Sequence, residues 1–179
     1  DPCPSGGVEK RVLILGLDPG LAITGYGIVA IDNGRYEAVA YGGITTKART
    51  PQAQRLAILY DTVSDLITKY RPDSAAVEQL FFNRNVTSAF AVGQARGVAI
   101  LSAAKHGLSV DEYTPLQVKQ TLTGHGRAEK EQVGYMVRSL LSLSQMPKPD
   151  DVSDALAVAL CHAFHVESGL LRLARKADS

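Results

Sequence analysis

The segment RVLILGLDPGLAITGYGIVAI, residues 11–31, constrains the fold more than any other part of the sequence. Residues 12–17 are apolar without alternation, which is typical of a strand buried on both faces. The turn sequence DPG follows at 18–20, and a second apolar strand follows over 24–31. Strands buried on both faces are typical of α/β proteins, whose sheets carry helices on either side. The segment alone does not decide whether Asp18 is only a turn residue or also a ligand in a binding site.

The remaining elements follow from turn signals and from the period of the apolar residues. Asn33-Gly34 is a strong hairpin signal, so a third strand over 35–42 continues an antiparallel meander. Apolar residues then recur at steps of three and four over 51–70, which predicts a helix. The rest of the chain predicts a strand that ends near Glu78, an Ala- and Gly-rich helix over 86–105, a strand over 108–113, and helices over 116–122, 129–143 and 151–165.

The handedness of strand connections then predicts the order of the strands. In the meander, the third strand is parallel to the first. A right-handed crossover through the first helix returns the fourth strand parallel to the first. If these two strands are neighbours, the fold is a five-stranded mixed sheet of order 3-2-1-4-5, flanked by helices. The carboxyl ends of the first and fourth strands then meet at a topological switch point, where α/β folds place their sites.

Four carboxylates are predicted to gather at that switch point. Asp18 lies at the end of the first strand and Glu78 near the end of the fourth. Asp151 and Asp154 are three residues apart, so they share one face at the start of the last helix, with Asp150 as its N-cap. Carboxylates this close repel each other unless a cation binds between them. Four oxygen donors without a Cys/His cluster suit Mg²⁺ or Mn²⁺.

Each acid also has a structural interpretation. Asp before Pro-Gly is a common turn residue, and acids in a first helical turn interact favourably with the helix dipole. Glu78 is harder to explain in this way, because a short buried strand rarely carries an unpartnered Glu. The single residues are therefore ambiguous, and the specificity lies in the set of four.

Composition limits the other possibilities. The 179 residues suggest one domain, and the net charge of +1 conceals any local separation of acids from bases. The two cysteines, Cys3 and Cys161, form neither a disulfide framework nor a metal spacing. No apolar run approaches the ~20 residues of a membrane helix, and no secretory signal is visible, so we expect a cytoplasmic protein without membrane contact. Residues 1–10 are expected to be a disordered tail.

Four motifs resemble the RuvC family of Holliday-junction resolvases, and they occur in the family's order: GLDPGLAITGYGIV, VEQLFFNRNVTSAFAVGQARGVAI, YTPLQVKQTL with GRAEKEQV, and DDVSDALAVAL. The resemblance implies an RNase H-like nuclease domain over 11–166, with a C-terminal tail over 167–179. It implies a homodimer that nicks opposing strands of four-way junction DNA in recombination and repair, leaving 5′-phosphate and 3′-hydroxyl ends. It also implies Mg²⁺ or Mn²⁺, two ions per subunit, branch-migration partners of the RuvA and RuvB type, and the bacterial cytoplasm.

The resemblance also assigns residues. The catalytic, metal-binding acids match Asp18, Glu78, Asp151 and Asp154, although the double acid leaves open whether Asp150 substitutes for Asp151. Lys119 and Lys130 match residues that contact DNA. Phe81 matches an aromatic residue at the junction centre, with a core position as the alternative. Arg84 and Arg127 are further DNA-binding candidates, because Arg84 flanks the segment after Glu78 and Arg127 is expected near the site at the same edge of the sheet.

Three other functions compete with this interpretation. An actin-like or sugar-kinase-like ATPase also places an Asp-x-Gly turn after its first strand, but it needs two lobes. A non-enzymatic junction-binding protein would need none of the four acids. A related RNase H-like nuclease could instead act on an RNA–DNA hybrid.

Overall fold

A computed structural model, which describes residues 11–79 and 86–177, contains five strands and five helices in these residues, as expected for an α/β protein. The predicted N-terminal tail, residues 1–10, lies outside the described residues. The elements in chain order are β1 Val12–Asp18, β2 Ile23–Asp32, β3 Arg35–Thr45, α1 Gln52–Tyr70, β4 Ser74–Glu78, α2 Val86–Lys105, β5 Ser109–Tyr113, α3 Pro115–Thr123, α4 Lys130–Leu140 and α5 Asp150–Ala177.

The strand order is β3-β2-β1-β4-β5, so the predicted order is confirmed. β1 pairs antiparallel with β2 and parallel with β4, and β4 pairs parallel with β5. The β2–β3 hairpin turns at Asn33 and Gly34, whose φ angles of 49° and 72° are both left-handed. Asn and Gly tolerate this conformation, and a two-residue turn of this kind matches the twist of the paired strands.

The sheet separates two apolar cores, which explains why β1 is apolar on both faces. Ile14 packs with Leu156 and Leu160 of α5 on one face. Leu15 packs on the other face with Leu59 and Val63 of α1. Because successive strand residues point to opposite sides, each core takes every second residue of β1.

Glycines in β1 and β2 let α5 lie directly on the sheet. A Cβ atom at Gly16 would stand 2.1 Å from the carbonyl oxygen of Ala155, and one at Gly25 would stand 1.9 Å from that of Asp151. Real Cβ atoms do not approach backbone so closely, so only glycine fits at either position. The first turns of α5 are therefore held against β1 and β2.

The expectations for the last helix and for α2 differ from the structure. α5 does not end at 165 but continues to Ala177, so the predicted C-terminal tail is helical over most of its length. Tyr36 of β3 stacks on Phe164 and hydrogen-bonds Glu167, which gives this extension a contact with the sheet. The expectation that no apolar run approaches membrane-spanning length was wrong for α2, which has the length and composition to cross a bilayer. That is weak support for a membrane span, because core helices of soluble proteins also meet the criterion.

Candidate active site

Asp18 is the last residue of β1, and hydrogen bonds between Thr24 and Gly20 stabilise the turn that follows it. The Thr24 hydroxyl donates to the Gly20 carbonyl at 2.7 Å and accepts from the Gly20 amide at 3.2 Å. Thr24 is fully buried, so this pair fixes the start of β2 against the turn. The carboxylate of Asp18 therefore projects from a rigid strand end at the switch point between β1 and β4.

The pKa of Asp18 shows that the four acids share one electrostatic environment. Burial raises this pKa from 3.8 to about 7, and repulsion from Asp154, Asp151 and Glu78 adds to the effect, while Lys130 opposes it. The pairing of β1 with β4 and the packing of α5 on the sheet thus bring Asp18 close to acids that are 60 or more positions away in the sequence. The site carries more negative charge than its surroundings neutralise.

Glu78, the last residue of β4, lies in the same environment. Burial and then repulsion from Asp154 raise its pKa from 4.5 to about 7, while the ammonium groups of Lys119 and Lys130 act in the opposite direction. Lys119, a half-buried residue of α3, is therefore close enough to Glu78 to stabilise its charge. Both predicted lysines lie at the edge of the acidic site.

Lys130 binds two acids of α5. Its Nζ lies 3.0 Å from Asp150 Oδ2 and 3.5 Å from Asp154 Oδ2. Burial raises the pKa of the Asp154 carboxyl, and Lys130 counteracts that rise. Lys130 is the first residue of α4, so the packing of α4 beside α5 brings the cation to the acids.

Asp150 differs from its predicted role. It was expected to be the N-cap of the last helix, but α5 begins at Asp150 itself, and the Val152 amide bonds the carbonyl of Pro149. The exposed carboxylate of Asp150 pairs with Lys130, which lowers its pKa. Asp151, rather than Asp150, repels Asp18. This difference favours Asp151 over Asp150 as the acid that belongs to the same set as Asp18.

The other predicted DNA contacts are less defined. Arg127 is exposed in the segment between α3 and α4. Phe81 and Arg84 lie outside the described residues. Among the predicted residues, the structure thus gathers the four acids, Lys119 and Lys130.

The donor set suits a divalent cation. The four acids offer hard carboxylate oxygens, which divalent cations prefer as ligands. The raised pKa values of Asp18 and Glu78 show that a nearby positive charge would stabilise their ionised forms. Within residues 11–79 and 86–177, however, no three His, Cys, Asp or Glu side chains stand close enough to enclose an ion as they are. Binding a divalent cation would therefore require these carboxylates to move closer together.

Sequence reasoning missed one feature of the site. Arg96 of α2 donates from Nη1 to the main-chain carbonyl of Glu78 at 2.5 Å, and its Nη2 forms an ion pair with Glu112 of β5. The three residues are separated by 16 or more positions, so no local pattern could have revealed the contact.

The fold and the site together define a metal-dependent nuclease of the RNase H-like class. The family model described as crossover junction endodeoxyribonuclease RuvC matches residues 14–162. The chain belongs to the RuvC family.

Relatives of known name agree with this assignment. A protein named crossover junction endodeoxyribonuclease RuvC from Heliobacterium modesticaldum is 56% identical over 159 residues, covering 89% of this chain and 98% of that protein. A namesake from Alkaliphilus oremlandii is 55% identical over 152 residues, covering 85% and 93% respectively.

Solved structures agree as well. Thermus thermophilus RuvC in complex with Holliday junction substrate is 37% identical, with a TM-score of 0.84, and the match covers 88% of this chain and 96% of that one. The yeast mitochondrial Holliday junction resolvase is 12% identical with a TM-score of 0.62, covering 87% and 79%, and supports the fold alone.

Proposed function

We propose that this chain resolves Holliday junctions by hydrolysing one phosphodiester bond in each of two opposing strands of a four-way DNA junction. The observation that carries the proposal is the joint placement of four acids and two lysines at one edge of the sheet, in a chain of the RuvC family. The products would carry 5′-phosphate and 3′-hydroxyl ends.

The acids would hold two Mg²⁺ or Mn²⁺ ions per subunit. Asp18 experiences repulsion from each of the other three acids, and it would hold the ions together with them. Glu78 would bind one ion from the β4 side, and Asp151 and Asp154 would bind the other from α5. When bound, the ions would supply the Lewis acidity that activates a water and stabilises the leaving 3′-oxygen.

The cationic side chains would orient the DNA. Lys119 and Lys130 border the acids, so a phosphate bound there would lie next to the scissile bond. Arg127 and Arg84 would bind phosphates further along the strand, and Phe81 would stack at the junction centre. Lysine–phosphate contacts position the backbone without reading its sequence.

Paired nicks require two copies of the site, and α2 offers a surface for an isologous dimer. Val86 and Phe90 are 72% and 70% exposed, and Leu101 is 53% exposed. Gly93 and Gly97 lie on the same face, and a Cβ atom at either would meet open space. Spacings of three and four residues join these positions into one apolar stripe. We infer that this stripe binds a second copy of the chain, and that branch-migration proteins of the RuvA and RuvB type act with the dimer in the bacterial cytoplasm.

Asp18→Asn tests the site. The amide keeps the side-chain shape but loses the charge that holds the cations, so the variant should bind junctions and fail to nick them at saturating Mg²⁺. Asp65→Asn, in an exposed position on α1, is the matched control and should cleave normally. Substantial nicking by Asp18→Asn would refute the site. A parallel assay on RNA–DNA hybrids tests the substrate, because preferential cleavage of the hybrid would contradict junction resolution.

Mixed dimers test the symmetry. Wild-type and Asp18→Asn chains, refolded or co-expressed together, should form heterodimers that nick one strand and leave the opposing strand intact. A chain that sediments as a monomer on junction DNA and still makes paired nicks would contradict the dimer.

A further inference from the structure

Arg96 connects three elements around the main chain of Glu78. It projects from α2, its Nη1 donates to the Glu78 carbonyl of β4, and its Nη2 pairs with the Glu112 carboxylate of β5. The Arg96 side chain is only 14% exposed. A guanidinium so enclosed, with two protein oxygens already bound, is poorly placed to contact a DNA phosphate.

The contact fixes the peptide group that follows Glu78. The carbonyl of this peptide accepts from Arg96, and its amide, the N–H of Gln79, donates to the carbonyl of Tyr113 at 2.7 Å. Both polar atoms of one peptide are thus held, on the residue where the β4–β5 register ends. The β1–β4 register ends one pair earlier, at Leu17 and Val77, so Arg96 supports Glu78 where strand pairing with β1 has stopped.

Arg96 leaves the carboxylate of Glu78 available. Arg96 hydrogen-bonds the main-chain oxygen of Glu78, and it forms its ion pair with a different acid, Glu112. An arginine bound to the Glu78 carboxylate would compete with a metal ion for the same oxygens. The observed arrangement instead restrains the backbone and directs the charge of the guanidinium to Glu112.

We propose that Arg96 is a positioning residue for Glu78 and that it holds the end of β4 in the conformation that binds metal. Glu112 in turn orients Arg96. The inference rests on the proposed metal-binding role of Glu78. Partners that orient a metal ligand typically change metal affinity or activity by about 10–100-fold when they are lost.

The test measures Mn²⁺ affinity by electron paramagnetic resonance of free Mn²⁺, together with the Mg²⁺ concentration that gives half-maximal junction cleavage. Arg96→Met should weaken Mn²⁺ binding and raise the Mg²⁺ requirement, each by about tenfold. Saturating Mg²⁺ should restore most of the cleavage rate, because the metal itself can draw Glu78 into place. Arg96→Lys, which keeps the charge but offers one donor nitrogen in place of the two guanidinium nitrogens, should show a smaller change.

Two further variants separate positioning from general stability. Glu112→Gln should act in the same direction as Arg96→Met, and the double variant should be no worse than Arg96→Met alone, because both act through one contact. Arg55→Met is the matched control, since Arg55 of α1 likewise donates to a neutral oxygen, that of Thr46, at 2.8 Å. It should leave Mn²⁺ affinity unchanged. If Arg96→Met does not fold, Arg96→Lys and Glu112→Gln carry the test.

The outcomes divide clearly. Variants of Arg96 and Glu112 that melt earlier but bind Mn²⁺ like the wild type would make the contact purely structural and overturn the inference. Weaker junction binding in EDTA with normal Mn²⁺ affinity would make Arg96 a DNA contact and also overturn it. Glu78→Gln separates the proposed metal-binding role of Glu78 from the positioning role of Arg96. If this variant still binds Mn²⁺ and cleaves junctions, the proposed role of Glu78 is wrong. If it is inactive and Arg96→Met is normal, only the inference fails.

Discussion

Asp18→Asn should make the metal-free protein more stable while it removes cleavage. The Asp18 carboxyl has a pKa of about 7 in the folded protein, against 3.8 for an exposed Asp. Between these two values the folded protein binds a proton that the unfolded chain has released. Folding therefore becomes less favourable as the pH rises from about 4 to about 7, and the penalty is fully present above pH 7.

The size of the effect follows from the same pKa values. Each pKa unit corresponds to 1.36 kcal/mol, so the ceiling for Asp18 is about 4 kcal/mol above pH 7. Neutralising Asp18 also removes the repulsion between this residue and Asp154, Asp151 and Glu78. We expect Asp18→Asn to raise the free energy of unfolding by about 2–4 kcal/mol at pH 8, and by little at pH 4.

Urea denaturation in EDTA measures the difference. The chain contains no Trp, so far-ultraviolet circular dichroism or Tyr fluorescence is the signal. Asp65→Asn on the exposed face of α1 controls for the loss of any carboxylate and should change stability little at either pH. Mg²⁺ should then reverse the order, because a cation that binds the folded wild type stabilises it by mass action and the variant binds the cation less well.

Two results would refute this reasoning. Equal stability of wild type and Asp18→Asn at pH 8 in EDTA would mean that neither burial nor the neighbouring acids destabilise the charged Asp18 in the folded protein. An equal gain at pH 4 and pH 8 would mean that the amide stabilises through packing or hydrogen bonding, because a charge effect must disappear when Asp18 is protonated.

The remaining predictions concern DNA contacts and packing. Lys119→Ala and Lys130→Ala should each weaken junction binding on every sequence and lower the slope of log affinity against log salt by about one unit, and an unchanged slope would make the residue structural. Phe81→Ala should reduce junction opening by the ~1–3 kcal/mol of a stacked base. A loss of ~3–5 kcal/mol in thermal stability would place Phe81 in the core instead. Gly25→Ala should destabilise the fold by about 1–3 kcal/mol and weaken Mn²⁺ binding, because a Cβ atom there displaces the turn that carries Asp151. Destabilisation with normal Mn²⁺ affinity would show that the start of α5 tolerates the shift.

The strand order and the neighbouring ends of β1 and β4 could be predicted from the sequence, because they depend on a local turn signal and on the fixed hand of strand crossovers. Asn33-Gly34 specifies a hairpin through the backbone freedom of two residues, and the crossover through α1 has a fixed hand. Those rules determine which strands are neighbours, and hence that Asp18 and Glu78 end side by side. The bounds of α2, residues 86–105, were also predicted correctly, because Gly107 is suited to the left-handed conformation that it adopts after the helix.

The tertiary structure alone decided how closely the elements approach and which charges pair. Asp150 looked like a helix cap, but α4 places Lys130 beside it. Arg96 is 16 or more positions from Glu78 and Glu112 in the sequence, but it contacts both of them across α2, β4 and β5. Nothing in the sequence around Gly16 and Gly25 indicates that α5 packs directly on these two residues. A short-range pattern encodes dihedral preferences and burial. The distance between two elements depends instead on the volumes of side chains far apart in the sequence, and these contacts form only when both faces are packed together.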